Sequence, residues 1–553
     1  MQGNFKKKRA DEMKTTCQFV PGMEIKSNTD YRYDKKECHI YLENTQVTDG
    51  AAWSNKIYSP ADQHLVHTAF VLDHLENITF DLGGTKLIFH GRILPFMMKD
   101  CRNITFKNFS IDYDRYFYTE MEILDVDIDR LRLRVGDAYP FMIRDDALVA
   151  VSDTWESDTS LMNSHIIPID PEKKLPLRNV GFMLYTSGNH PFIRLNPPKA
   201  LTPIHFKALQ GREIEMKFAV PEGLQAGNVL SMAHEDRRKP AFDAVRVQNL
   251  TIDNIRIHHI GSGGIIAYSC HNIMIHKLQT FLDKESKGLI CANADAIHCF
   301  NCDGIITVDD CRIENIFDDT INVHGIYIVF DSVIDSHVLK AKSTRSSLSY
   351  HIPIYQPGDV LRAFKGKTQE TLGDFTIQEV LNDDTRNLVF QIKESLDNLK
   401  GPILFENMRM PELHVSHLIT GNKYRAILPS TGAKIVIEDS VFHHCPTAIN
   451  LTGDSNYWYE SGPVQDITIR NCRFTAPGAD NFAIVSSPIF TPTEKKPYYH
   501  HNVNILDNQF ELPSGNILAA NYTENIRYKN NTSIVPEHFE IKNCATVRGI
   551  ETK

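Results

Sequence analysis

Hydrophobic and polar positions alternate with a period of two through most of this chain, and helical spacing is scarce. Within that alternation one eight-residue phrase recurs, apolar-x-apolar-x-Asn/Asp-x-x-apolar. Clear copies span Ile104–Ile111, Leu250–Ile257, Ile306–Ile313, Ile435–Phe442, Ile467–Phe474 and Val503–Phe510, with weaker ones starting at Ile78, Ile273 and Ile526. Consecutive copies start 23 to 36 residues apart. Each reads as a short strand, a polar residue suited to a turn, and a second apolar anchor. A single copy cannot bury its apolar face, whereas stacked copies share one core. The spacing matches neither a leucine-rich repeat nor a propeller, so the pattern predicts an all-β chain built as a parallel β-helix.

Two stretches lack the phrase but keep the alternation. Both contain a similar glycine-led strand, Ala226–Met232 and Pro357–Ala363. They are expected to be inserted antiparallel β modules, barrel-like, bulging from the helix wall. The resulting division is 1–114 (N-terminal segment and first coils), 115–240 (first module), 241–325 (coils carrying the candidate catalytic residues), 326–408 (second module, beside the cleft) and 409–553 (C-terminal coils).

Composition narrows the function classes. The 553 residues carry 59 Lys+Arg against 69 Asp+Glu, a net charge of −10, with no extended basic stripe. Nucleic acid is therefore not an expected partner. The Lys6–Arg9 run reads as a solvated tail. No apolar run approaches the ~18 residues needed for a membrane span, and no signal-peptide core follows the basic start. A periplasmic or secreted location is expected if an export signal has been removed. The eleven cysteines, odd in number and irregularly spaced, do not form a disulfide framework. Cys299 and Cys302 beside His298 lack the second ligand pair of a zinc site, and Cys270, Cys311, Cys445 and Cys472 fall in or near apolar slots of the repeat. The Asn-x-Ser/Thr sites at Asn77, Asn103 and Asn249 open repeat strands and read as strand-entry residues.

Candidate chemistry lies in two neighbouring phrases, Asn293-Ala-Asp295-Ala-Ile-His298 and Phe317-Asp318-Asp319-Thr-Ile-Asn322. Aligning the segments after each repeat gives a column of Gly263-Gly-Ile265, Asp295-Ala-Ile297, Asp319-Thr-Ile321 and Thr447-Ala-Ile449. Asp319 follows Asp295 by 24 positions. If that interval is one coil, the two carboxylates stack on adjacent strands about 4.8 Å apart, with Asp318 alongside. An Asp in this column can be a plain turn residue, but a turn role does not explain three together, since like charges this close destabilise. Crowded carboxylates split their pKa values, as paired acid and base catalysis of glycoside hydrolysis requires. An inverting pair stands about 6.5–9.5 Å apart and a retaining pair about 5–5.5 Å, and both remain open. A second cluster, Asp454 to Glu460 around Trp458 with Tyr457 and Tyr459, offers an aromatic plane and carboxylates of the kind that hold sugars. A surface aromatic cluster packing on the helix wall is the alternative. Candidate substrate contacts are His298, Asn322, His324, Arg425, Asp454, Trp458 and Glu460.

These phrases resemble glycoside hydrolase family 110, the exo-acting α-1,3-galactosidases. The likeness extends from Ile111-Asp-Tyr-Asp114 through both interruptions to Gly453-Asp454…Trp458-Tyr-Glu460-Ser-Gly. It implies a right-handed parallel β-helix with inserted barrels, catalytic residues at Asp295, Asp318 and Asp319, no metal or other cofactor, and inversion of configuration. The implied partner is a glycan ending in α-1,3-linked galactose, linear or branched as in blood group B. The paired aspartates also resemble polygalacturonases, but the Gly-His-Gly and Arg-Ile-Lys motifs of that family are missing from the sequence. A polygalacturonase-like hydrolase of acidic polysaccharide and a non-catalytic glycan-binding β-helix are the alternatives. Oligomeric state is not readable. By analogy Asp318 is the general acid, with Asp295 and Asp319 positioning and deprotonating water.

Overall fold

The computed structural model describes residues 14–49, 65–157, 164–234, 239–343, 355–489 and 498–550, except 173, 178, 179, 181, 188, 189, 196–201, 285, 367, 385, 423, 456, 457 and 476–480. The Lys6–Arg9 run and Tyr457 lie outside the described residues.

The repeat phrase forms a long parallel wall. Its first apolar positions pair in unbroken register from Ile78 through Ile104, Leu250, Ile273, Ile306, Leu413, Ile435, Ile467 and Val503 to Ile526. In all six clear copies the Asn/Asp bends the strand. Asn108, Asn254, Asp310, Asp439, Asn471 and Asp507 have φ between 50° and 59°, the left-handed region that these short polar side chains tolerate best after glycine. The coil at Leu413 escaped the sequence pattern because His417 fills the bend (φ 51°) and Thr420 the last apolar slot. Strand entry uses the same conformation at Asn77, Asn103, Asn249 and Asn272. Each donates from Nδ2 to the amide oxygen of the Asn one coil back, at 2.8, 2.8, 2.9 and 3.2 Å. Inside, the closing Phe442, Phe474 and Phe510 stack nearly parallel, with ring centroids 5.0 and 4.8 Å apart. That is the strand spacing itself.

A second parallel wall faces the first across a continuous apolar core. Its spine runs Phe96, Phe242, Ile265, Ile297, Ile321, Ile427, Ile449, Ile484 and Leu518, each in register with the next. Isolated parallel bridges join Ile260, Ala292 and Ile316 where the chain turns between the walls. All eleven cysteines are free thiols. Cys270, Cys299, Cys302, Cys311, Cys445 and Cys472 are buried in the core between the walls.

The two interruptions are antiparallel. From Tyr118 to Ala233 ten strands form one sheet over its own apolar core, its two ends not joined by strand pairing among the described residues, and Phe141–Arg144 pairs with Ala147–Ala150 as a separate hairpin. The second module closes. Strand Ile321–Asp335 continues out of the second wall and pairs with Val338–Ser343, which pairs with Leu388–Ile392, then Thr371–Asn382, Val360–Lys365, Ile403–Asn407 and back to Ile321–Asp335. The barrel core meets the outer face of the second wall at Ile266, Tyr268 and Phe300.

The first module is fastened to the coils near the aspartates. Tyr118, Ile167 and Ile169 pack on Ile290 and Phe317, and Glu120 Oε1 accepts the Leu289 N–H at 2.6 Å. Burial pushes the Glu120 carboxyl up to about 7. A carboxyl with a raised folded-state pKa binds more protons folded than unfolded, so its contribution is present below its ordinary range and is lost as pH rises through about 7. Replacing it by Gln keeps an acceptor for Leu289 and removes the titration. Between pH 4 and 8, wild type should lose on the order of 3 kcal/mol of unfolding free energy relative to Glu120→Gln, measured by urea titration across that range.

Candidate active site

The second-wall spine fixes which residues meet on its outer side. Because Ile297 pairs with Ile321 and Ile321 with Ile427, the residues two before each also stack. Asp295, Asp319 and Arg425 therefore occupy three successive rungs. Arg425-Ala-Ile427 continues the sequence column and was the member missed there, since its first residue is basic rather than acidic. On the rung before Asp295 the column holds Gly263 and Gly264, where a Cβ would stand 2.7 Å from the Asp295 carbonyl oxygen and 2.5 Å from that of Ala296.

The three carboxylates converge as the sequence predicted. One oxygen from each of Asp295, Asp318 and Asp319 lies within 4.8 Å of the other two. Asp319 is 1 % exposed and Asp295 7 %, while Asp318 is half-buried. Arg425 grips Asp319 with both arms of its fork, Nε to Oδ1 at 2.9 Å and Nη2 to Oδ2 at 2.7 Å. Where a cation could sit beside this cluster, a guanidinium already does. Burial pushes the Asp319 carboxyl well above its usual range, and Asp295 and Asp318 push the same way against Arg425. Asp319 in turn holds Arg425 charged against its own burial. Asn422 pins the turn, donating from Nδ2 to the Asp318 and Arg425 carbonyls at 3.0 and 2.9 Å and to Thr320 Oγ1 at 2.9 Å. No repeat signal marked this residue.

His298 and His324, two candidate substrate contacts of the sequence reading, are buried side chains. Both are 2 % exposed and lie behind Asp295. Asp295 Oδ1 accepts the Asp319 N–H at 3.2 Å, and its Oδ2 faces His298 Nδ1 at 2.9 Å. His298 Nε2 meets His324 Nε2 at 2.8 Å, and His324 Nδ1 donates to the Gly325 carbonyl at 2.6 Å. The reason is strand parity. Asp295 precedes its strand, whereas His298 and His324 lie within strands on the outer face, where the barrel core meets the neighbouring Phe300. Asn322, in register with His298, is buried for the same reason, at 4 % exposure.

The Trp458 loop reaches the site by pairing. Glu460 and Ser461 form an antiparallel ladder with Ile326 and Gly325. This sets Glu460 Oε1 3.7 Å from His324 Nε2 and close enough to Arg425 to favour its charge. Asp454 is buried and accepts the Trp458 N–H at 2.8 Å, so it shapes the loop. Tyr459 turns away and packs on Tyr327, Phe364 and Leu404 of the barrel side. Trp458, 42 % exposed, is the aromatic plane open to solvent among the described residues of this loop.

Adjacent coils of a β-helix thus gather three acids and an arginine on the outer side of one wall. No protein-family model matches the chain. It is 28 % identical over 490 residues to α-1,3-galactosidase B of Bacteroides thetaiotaomicron, covering 84 % of this chain and 75 % of that one. It is 27 % identical over 505 residues to α-1,3-galactosidase A of Shewanella woodyi, covering 88 % and 79 %. With the Akkermansia muciniphila α-1,3-galactosidase B the figures are 25 % over 493 residues, 87 % of this chain and 59 % of that one. The chain is thus a relative of the α-1,3-galactosidases and a glycoside hydrolase. Among solved structures, a Yersinia enterocolitica family 28 exopolygalacturonase overlaps with a TM-score of 0.31 at 12 % identity, covering 87 % of this chain and 79 % of that one.

Arg425 is the counter-charge on which the cluster depends. Arg425→Met should cost on the order of 3 kcal/mol in thermal unfolding, because it strands a buried carboxylate. Arg425→Lys, which keeps the charge but not the fork, should cost about 1 kcal/mol.

Proposed function

We propose that this protein is an exo-glycosidase that removes terminal α-1,3-linked galactose from oligosaccharides or glycoconjugates, with inversion of configuration. The observation that carries the reading is the meeting of Asp295, Asp318 and Asp319, with oxygens within 4.8 Å, in a chain whose relatives are α-1,3-galactosidases along most of its length. Those relatives favour it over the polygalacturonase-like alternative. Asp318, the most accessible of the three, protonates the glycosidic oxygen. Asp295 and Asp319, buried and fixed by the fold, hold the water that attacks the anomeric carbon from the opposite side. Nearest oxygens this close are shorter than the about 6.5–9.5 Å span of most inverting pairs. The arrangement suits a water lodged against two adjacent carboxylates rather than suspended between distant ones. Trp458 offers its ring to the C–H face of the galactose, with Glu460 and the free edge of Arg425 as hydroxyl partners.

Early product from Galα1-3Gal, followed by proton NMR, should be β-galactose; α-galactose appearing first would sink inversion. Asp318→Asn should lower kcat/KM by about 10³, within the span of a lost general acid. Its thermal midpoint should stay close to wild type, because Asp318 is half-exposed. Blood-group-B trisaccharide and linear Galα1-3Gal, assayed side by side, separate branched from linear preference.

A further inference from the structure

The contacts behind Asp295 fix a proton count. A carbonyl has no hydrogen to give, so His324 carries its proton on Nδ1, toward Gly325. The 2.8 Å approach of the two Nε2 atoms requires one hydrogen between them, since two lone pairs repel at that distance. The 2.9 Å contact of His298 Nδ1 with Asp295 Oδ2 requires another. Three contacts therefore need three protons, whereas two neutral imidazoles and an ionised carboxylate hold two. We propose that Asp295, His298 and His324 hold this third proton in common, which makes the two histidines positioning residues that fix Asp295 beside the attacking water.

The Asp319 N–H on one oxygen of Asp295 and His298 Nδ1 against the other fix the plane of that carboxyl beside Asp319, so the two histidines set how Asp295 faces the attacking water. This rests on the hydrolase reading above. In the step, the water oxygen bonds to the anomeric carbon, its proton goes to the Asp295–Asp319 pair, the glycosidic C–O bond breaks, and the leaving oxygen takes the proton of Asp318. The titratable and charged groups around the chain are Glu460 at 3.7 Å from His324 Nε2, Asp454 on the same loop, and Asp318, Asp319 and Arg425 on adjacent turns. The barrel residues that share an apolar cluster with Phe300, on which His324 stacks, are apolar, among them Ile326 and Phe405. His298 and His324 are thus positioning residues.

Two measurements on the full chain test this. In protein labelled with ¹⁵N-histidine, the His298 and His324 ring protons should stay in place from pH 5 to above 8, and in His298→Gln the His324 Nε2 proton should be lost while its Nδ1 proton toward Gly325 remains. Independent titration of both rings near the ordinary histidine value of about 6.5 would overturn the proposal. In kinetics, His298→Gln supplies an N–H to Asp295 without a titratable proton. It should keep kcat within about tenfold of wild type and lose the alkaline limb contributed by the shared proton, while His298→Phe should lose at least a hundredfold. Equal losses in the two variants, with wild-type pH limbs in both, would mean that the histidines only fill space. If wild type cleaves no α-1,3-galactoside while its ring protons behave as described, the hydrolase reading fails and the shared proton stands.

Discussion

The lateral register of the second wall is the constraint on which the site depends. Ile265, Ile297, Ile321, Ile427 and Ile449 stack inside the solenoid because each buries its side chain against the one before. Strand spacing of about 4.8 Å then applies equally to whatever stands two residues upstream. A chain forced to keep its isoleucines in line must also keep Asp295, Asp319 and Arg425 in line. Core packing thereby supplies the force that holds like charges together, which no interaction among the carboxylates would do.

The electrostatic cost is met locally. Arg425 on the next rung satisfies both oxygens of Asp319, and the histidine pair behind Asp295 carries positive charge or a proton as the chain of contacts demands. The solenoid alone is insufficient for this. The first module packs on Phe317, immediately before Asp318, and the second module packs on Phe300, against which the buried His324 stacks. The Trp458 loop is drawn in by two ladder residues, Glu460 and Ser461, at the point where the strand leaves the wall for the barrel. Two insertions and one loop thus complete a surface that the coils only begin.

Much of this was legible in the chain. Period-two alternation and the recurring Asn/Asp revealed the coils because both have a direct cause, a two-sided strand and a left-handed bend. The interval from Asp295 to Asp319 was readable as one coil for the same reason. The Leu413 coil was not, because His417 can adopt the bend without looking like a turn residue. Arg425 was seen, but only as a sugar contact. Its partner Asp319 lies 106 residues earlier, and the barrel inserted between them hides the adjacency from any local pattern.

Sequence by itself determined the repeat, the positions of the bends, the places where the solenoid is interrupted and the identity of the three acids. These depend on neighbours within one coil or on the period between coils. Tertiary structure alone decided that the arginine faces Asp319, that the histidines are buried behind Asp295, and that Trp458 stays open to solvent while Tyr459 packs on the barrel side. Those outcomes depend on which outer faces the inserted modules cover, and coverage is set by packing across long stretches of chain, where no periodicity survives.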